Sequence, residues 1–313
     1  IYFFPSNRWD IKTHDGLNKV ILNNNEEYSR NHKQHSKLIY VESDYSVSIV
    51  NKSIRSYDYS KGGNLNNSLS DFLSVKEHIF RGRKLVQISI DPIKYNNDSN
   101  KIDILEHATI TIETQDRLDL QNSNLKKSRV FDELINNLVL NPLNGRDYEY
   151  QTPSVLYISD PDVMTSPYLQ SLINWRKQQG YEVHLVSTTE TGNSTSSIKN
   201  YITEAYYNWE NPPEYLCLIG DANGSVSIPT YDVVGASGGW NGAHGESDYP
   251  YTLIEGDDLF PEMIVGRISV RSSTELATVV NKIIGYEKAY GGVGDWLSTT
   301  SLVGDPYDSG IST

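Results

Sequence analysis

The 313-residue chain has little cysteine: Cys217 is the single thiol, which excludes any intrachain disulfide framework. It has no run of 18 or more apolar residues, which excludes a membrane-spanning helix. Gly220-Asp221-Ala222-Asn223-Gly224 is not followed by Gly-Lys-Ser/Thr, and no Gly-x-Gly-x-x-Gly opens a helix after a first strand. Nucleotide binding therefore has no support. Phenylalanine is scarce, 6 residues against 22 tyrosines, so a folded core would be surrounded by a hydroxyl-rich surface. Basic residues are scarce in one half only. Of the chain's 40 acidic and 27 basic residues, 20 and 20 fall in residues 1–150, leaving 20 and 7 for residues 151–313. The whole net charge of −13 thus sits in the second half. That step marks a boundary near residue 150. It argues against a nucleic-acid partner and suits a metal ion or a cationic peptide. No signal peptide is visible, and a chain opening on Ile1 suggests that a preceding segment was removed or lies outside it.

What is present divides the chain further. Residues 1–115 read as β-rich. Leu38–Val41, Tyr45–Val50, Leu85–Ile90 and Ala108–Ile112 alternate apolar and polar residues with period two. Turn residues separate them, as at Gly62-Gly63-Asn64 and Asn96-Asn97-Asp98-Ser99. The expectation is a small antiparallel sandwich or barrel. Residues 116–150 are the linker candidate, with the basic cluster Lys126-Lys127-Ser128-Arg129 and one helix within Val130–Leu140.

From residue 151 strands alternate with helices. Strands are expected at Ser154–Ser159, Tyr181–Ser187, Tyr215–Ile219, Met263–Val270 and Ser298–Val303. The first helix has Ser166-Pro167 at its start, Leu169, Leu172 and Ile173 on its apolar face, and Gly180 at its end. The second carries the stripe Ile198, Tyr201, Ile202, Ala205, Tyr206 and Trp209. The third opens on a Ser272/Glu275 capping box and buries Leu276, Val279, Val280 and Ile283. This alternation predicts an α/β unit, a mostly parallel sheet with helices on both faces. Such sheets place chemistry in loops after the carboxyl ends of strands. Asp221 and the loop Glu255–Glu262 are expected around that edge.

That loop, Glu255-Gly256-Asp257-Asp258-Leu259-Phe260-Pro261-Glu262, crowds carboxylates that repel one another unless a cation answers them. Hard oxygen ligands from Asp221, Asp258 and Glu262 suit calcium; the bland alternative is a solvated acidic turn. Cys217 lies mid-strand between Leu216 and Leu218 and reads as core packing rather than a nucleophile. His244, in a glycine-rich loop, reads as a surface histidine rather than a base, and the remaining histidines have no metal-ligand spacing.

Several segments resemble the gingipain family of cysteine peptidases. They are Asn174–Gly180, Leu218-Ile219-Gly220-Asp221, Ser247-Asp248-Tyr249-Pro250-Tyr251, Tyr286-Glu287 and, most specifically, Ile264–Val270. Leu85–Ile90, Pro92, Tyr95 and Ile110-Thr111-Ile112 are similar to the family's β-sheet propeptide. The resemblance implies a zymogen: an inhibitory β-rich prodomain followed by the first part of a caspase-like α/β peptidase domain. It implies calcium held by the side chains of Asp221, Asp258 and Glu262 and the carbonyls of Glu255 and Phe260. It further implies a protein or peptide substrate, a secreted or cell-surface protein of bacterial or archaeal type, and processing near Lys126–Arg129 or Arg146. The family's catalytic histidine and cysteine fall after Thr313. Neither His244 nor Cys217 matches them, so no catalytic residue is expected in this chain. It would be inactive alone and need the remaining half of the catalytic domain as partner. Two alternatives stand beside this: a non-catalytic, gingipain-like surface or secretion-associated binding module, and a carbohydrate-binding adhesion protein using its many Tyr and Trp residues.

Overall fold

The computed structural model describes residues 4–5, 8–14, 19–25, 28–29, 35–41, 44–58, 71–96, 101–114, 125–143, 149–234, 244–288 and 298–301. The β-rich portion holds ten strands: β1 Phe4–Pro5, β2 Arg8–His14, β3 Lys19–Asn25, β4 Tyr28–Ser29, β5 His35–Tyr40, β6 Tyr45–Asp58, β7 Leu73–Phe80, β8 Arg83–Ile90, β9 Ile93–Asn96 and β10 Lys101–Thr114. One antiparallel sheet runs β2-β3-β10-β6, with β9 also on β10, and a second runs β5-β8-β7. Alternating residues of the two sheets meet in one core, including Ile39, Val86, Ile88, Ile90, Leu105, Ile110 and Ile112. Two packed sheets make it a sandwich, one of the two architectures, sandwich or barrel, that the period-two pattern predicts. Helix α1, Arg129–Leu138, follows, capped by Ser128 Oγ, which accepts from Phe131 N at 3.3 Å. Its Phe131 and Ile135 pack on Phe80 and Leu85 of the β7–β8 hairpin.

The α/β portion follows in the order β11 Ser154–Ser159, α2 Pro161–Met164, α3 Pro167–Gln178, β12 Glu182–Ser187, α4 Thr188–Thr191, α5 Thr195–Asn208, β13 Tyr215–Ile219, β14 Tyr231–Val234, β15 His244–Ser247, a 3-10 turn at Tyr249–Thr252, β16 Ile264–Ile268 and α6 Ser273–Lys288. The sheet is parallel, in the order β12-β11-β13-β16. On one face Leu169, Leu172 and Ile173 of α3 pack with Leu276 and Val280 of α6. On the other, Ile198, Ile202 and Tyr206 of α5 pack with Tyr251. Both faces being covered explains why β11 is buried at every position. The expected helices are all present. Ser166 does stand at the start of α3, but its hydroxyl makes no cap hydrogen bond and instead meets Ser273 Oγ at 3.0 Å, tying α3 to α6. The expected strand at Ser298–Val303 is not seen: residues 298–301 are not in a strand, and the rest of that run lies outside the described residues.

Candidate functional site: two edges of one parallel sheet

A segment that precedes a parallel strand enters the sheet at its amino edge, and one that follows leaves at its carboxyl edge. The acidic loop precedes β16, and Asp221 follows β13. The register Tyr215↔Ile264 to Ile219↔Ile268 therefore puts them at opposite edges, separated by the length of a five-residue strand, about 16 Å. The expectation that Asp221 and the loop share one edge is corrected on this ground.

At the carboxyl edge Asp221 is taken by its neighbours. Its Oδ2 accepts from Arg271 Nε at 2.8 Å, and its Oδ1 accepts from Ser269 Oγ and Ala222 N, each at 2.9 Å. These bonds, the Ala222 amide first, hold its carboxyl below the usual range. Arg267 of β16 is the organising group there. It forks onto Asp248 through two 2.7 Å bonds and donates from one nitrogen to the carbonyls of Gly220 (3.0 Å), Asp221 (3.0 Å) and Ile228 (2.9 Å). It thereby fixes the loop after β13 against the segment leading into the Tyr249–Thr252 turn. Sequence reasoning missed this pairing: Ser247-Asp248 and Gly266-Arg267 each carry the family resemblance, but they are 19 residues apart and no local pattern links them.

At the amino edge the acidic loop meets the β-rich portion. Asp258 accepts from Ile79 N at 2.9 Å and Phe260 N at 2.8 Å, and lies 3.5 Å from His78 Nδ1. Glu255 accepts from Gly82 N at 2.8 Å. Glu262, fully buried, accepts from Ile254 N and Glu255 N through Oε2, while its Oε1 has no partner. Burial, reinforced by Glu255 and Asp258, raises its carboxyl to about 7. Gly256, at φ +71°, allows the loop to fold back; a Cβ there would lie 3.0 Å from Asp258 Oδ2. The loop thus lays Glu255, Asp258, Phe260 and Glu262 along the amino edge and leaves Asp221 out. Among the described residues no three His, Cys, Asp or Glu side chains form a group that could hold a metal ion.

Cys217 lines a cavity of about 440 Å³ against the sheet face, with Tyr157, Tyr181, Tyr215, Arg176 and Gly266. Its thiol is pushed up to about 12 by desolvation. No histidine lines that cavity among the described residues. His244 opens β15, but its side chain lies outside the described residues, as do Arg146 and the loop at 235–243.

Comparison with known proteins adds the following. Residues 148–312 match the model of peptidase family C25. Lys-gingipain of Porphyromonas gingivalis is 25% identical over 222 residues, covering 67% of this chain and 12% of that protein. Gingipain R2 of the same organism is 25% identical over 131 residues, covering 41% of this chain and 16% of that protein. The chain therefore spans about an eighth of the length of the Lys-gingipains it matches. Two solved structures are similar over part of the fold. The Arg-specific cysteine proteinase gingipain R aligns at 20% identity and TM-score 0.37, over 44% of this chain and 28% of that one. The complex of pro- and mature domains of P. gingivalis RgpB aligns at 21% identity and TM-score 0.36, over 42% and 29%.

Proposed function

The chain belongs to peptidase family C25, and from that membership we propose that it is part of a secreted cysteine endopeptidase zymogen that hydrolyses peptide bonds. The observation that carries this reading is the family match over 148–312, which spans the whole parallel sheet. In this reading the β-rich portion, residues 1–115, is a propeptide, residues 116–150 are the processing segment, and residues 151–313 are the first part of a caspase-like catalytic domain. The attacking thiolate and its imidazole partner come from polypeptide beyond Thr313. Two facts support assigning that pair elsewhere. Desolvation pushes the Cys217 thiol up to about 12, and its cavity offers no histidine among the described residues.

The test is a panel of fluorogenic peptides offered to this chain, with and without reductant. No hydrolysis is expected. Turnover that disappears in Cys217→Ser would overturn the assignment.

Calcium is retained as a proposal for the acidic loop, drawing on Glu262 and Asp258 side chains and the Glu255 and Phe260 carbonyls. It is supported by the buried, unpartnered Oε1 of Glu262, an oxygen that wants a cation or a donor. Asp221, paired with Arg271 at the far edge, stands outside it. Calorimetric titration with calcium should give heat in the wild type and in Asp221→Asn but not in Glu262→Gln. Equal heats in all three would remove the site.

A further inference from the structure

Arg81 lies at the tip of the β7–β8 hairpin, and its environment is unusual in three ways. Its backbone is left-handed, at φ +48°, followed by Gly82 at +69°. Positive φ at both turn residues matches the mirror-image hairpin turns, but those favour Asn or Gly at the first position, not arginine. Strain of this kind persists where surrounding structure holds it. The side chain is also only 4% exposed, yet it makes no ion pair among the described residues. Its two terminal nitrogens instead meet neutral oxygens, while its buried Nε has no partner among the described residues. One terminal nitrogen donates to Pro213 O at 2.8 Å and Glu262 O at 2.5 Å, the other to Pro212 O at 3.1 Å and Gln151 Oε1 at 3.4 Å. Finally, the guanidinium carbon lies 4.8 Å from the Phe131 ring centre and 5.4 Å from that of Tyr206.

Every oxygen acceptor belongs to the α/β portion, and the ligand comes from the β-rich portion. Pro212 and Pro213 lead into β13, Glu262 into β16 and Gln151 into β11, so the acceptors line the amino edge of the sheet. Their place is fixed by sheet pairing: Ile264 N donates to Glu214 O at 2.9 Å, and Glu214 N donates to Ser154 O at 3.0 Å. A fan of carbonyls with rings beside it suits a planar, weakly hydrated fork of donors. A compact ammonium, with three donors about one nitrogen, cannot span the same oxygens. We propose that this edge is a guanidinium-binding site, built on the α/β portion, whose resident ligand is Arg81 and whose occupancy fixes the β7–β8 turn in the acidic loop. Gln151 belongs to the site in its own right. Its amide donates to Pro212 O at 2.8 Å and Ser154 Oγ at 3.1 Å, which turns its oxygen toward the guanidinium.

The test uses the full chain and hydrogen exchange. Arg81→Gly removes the ligand while relieving the left-handed strain, so the hairpin itself folds. If the site is as proposed, exchange at Ile79 and Gly82, whose amides bond Asp258 and Glu255, rises roughly tenfold or more, while β11 exchange is unchanged. Millimolar ethylguanidinium should restore protection in this variant, and ethylammonium at equal concentration should not. Arg81→Lys, which keeps charge and stem, should also lose protection. Protection at the wild-type level in Arg81→Lys, or equal rescue by the two cations, would overturn the proposal. So would an Arg81→Gly turn as protected as the wild type.

Discussion

Cys217 shows how a single residue's chemistry is set by its surroundings. It borders a cavity, so access alone does not make it inert. Burial pushes its thiol up to about 12, so the thiolate that alkylation requires is scarce near pH 8. Alkylation by iodoacetamide in the folded chain should therefore be far slower than after denaturation, as followed by intact mass. Rates equal in the two states would contradict the assignment of the thiol as neutral. Glu287 is the opposite case. Arg176, bonded to it at 2.6 and 2.9 Å, holds its carboxyl below the ordinary 4.5, with help from Trp175 and Gln179. A depressed folded value means stabilisation that is complete above the unfolded value and lost as pH falls through the folded one. The melting temperature of the wild type should fall more steeply than that of Glu287→Gln between about pH 5 and about pH 3, because the variant has no proton to take up. Parallel curves would show that the pair contributes nothing.

Among the elements, the helices were readable because each buries a stripe at helical spacing. Of the α5 stripe Ile198, Tyr201, Ile202, Ala205, Tyr206 and Trp209, four residues form the buried face, and Tyr201 and Trp209 are half-buried. Ile202→Ala, at a fully buried position, should cost about 2–5 kcal/mol in chemical denaturation. The N-terminus of α5 adds a reciprocal box between Ser194 and Ser197, and Ser194→Ala should cost about 1 kcal/mol. A loss from Ser194→Ala equal to that from Ile202→Ala would mean the cap is misassigned. The β7–β8 hairpin was only half readable. Leu85–Ile90 alternates cleanly, but β7 has its buried residues at one end, so its period is weak. Nothing in the sequence marked Arg81 as the tip that enters the other portion. Its burial depends on carbonyls some 130 and 180 positions away.

At the scale of the molecule, charge and fold divide in the same place. Residues 1–150 are balanced, and the described residues among them form the two antiparallel sheets and α1; residues 151–313 carry the −13, and the described residues among them form the parallel sheet. Self-repulsion within an acidic unit is screened by salt. Raising ionic strength from about 0.01 M to about 0.15 M with sodium chloride should raise the melting temperature of the chain, and calcium chloride at equal ionic strength should raise it further through the proposed loop site. A difference between the two salts that vanishes in Glu262→Gln would mark specific calcium.

The sequence by itself determined the order of elements, the antiparallel and parallel halves and the family, because periodicity and short motifs are local properties of the chain. It also showed that the acidic loop crowds like charges, which calls for a cation or for solvation, since that crowding is local to the chain. Only the tertiary structure decided what meets those carboxylates. The parallel register puts Asp221 and the loop at opposite edges, and the hairpin brings the amides of Ile79 and Gly82 to Asp258 and Glu255. Both outcomes depend on contacts between residues far apart in the chain, and no local pattern encodes their distance.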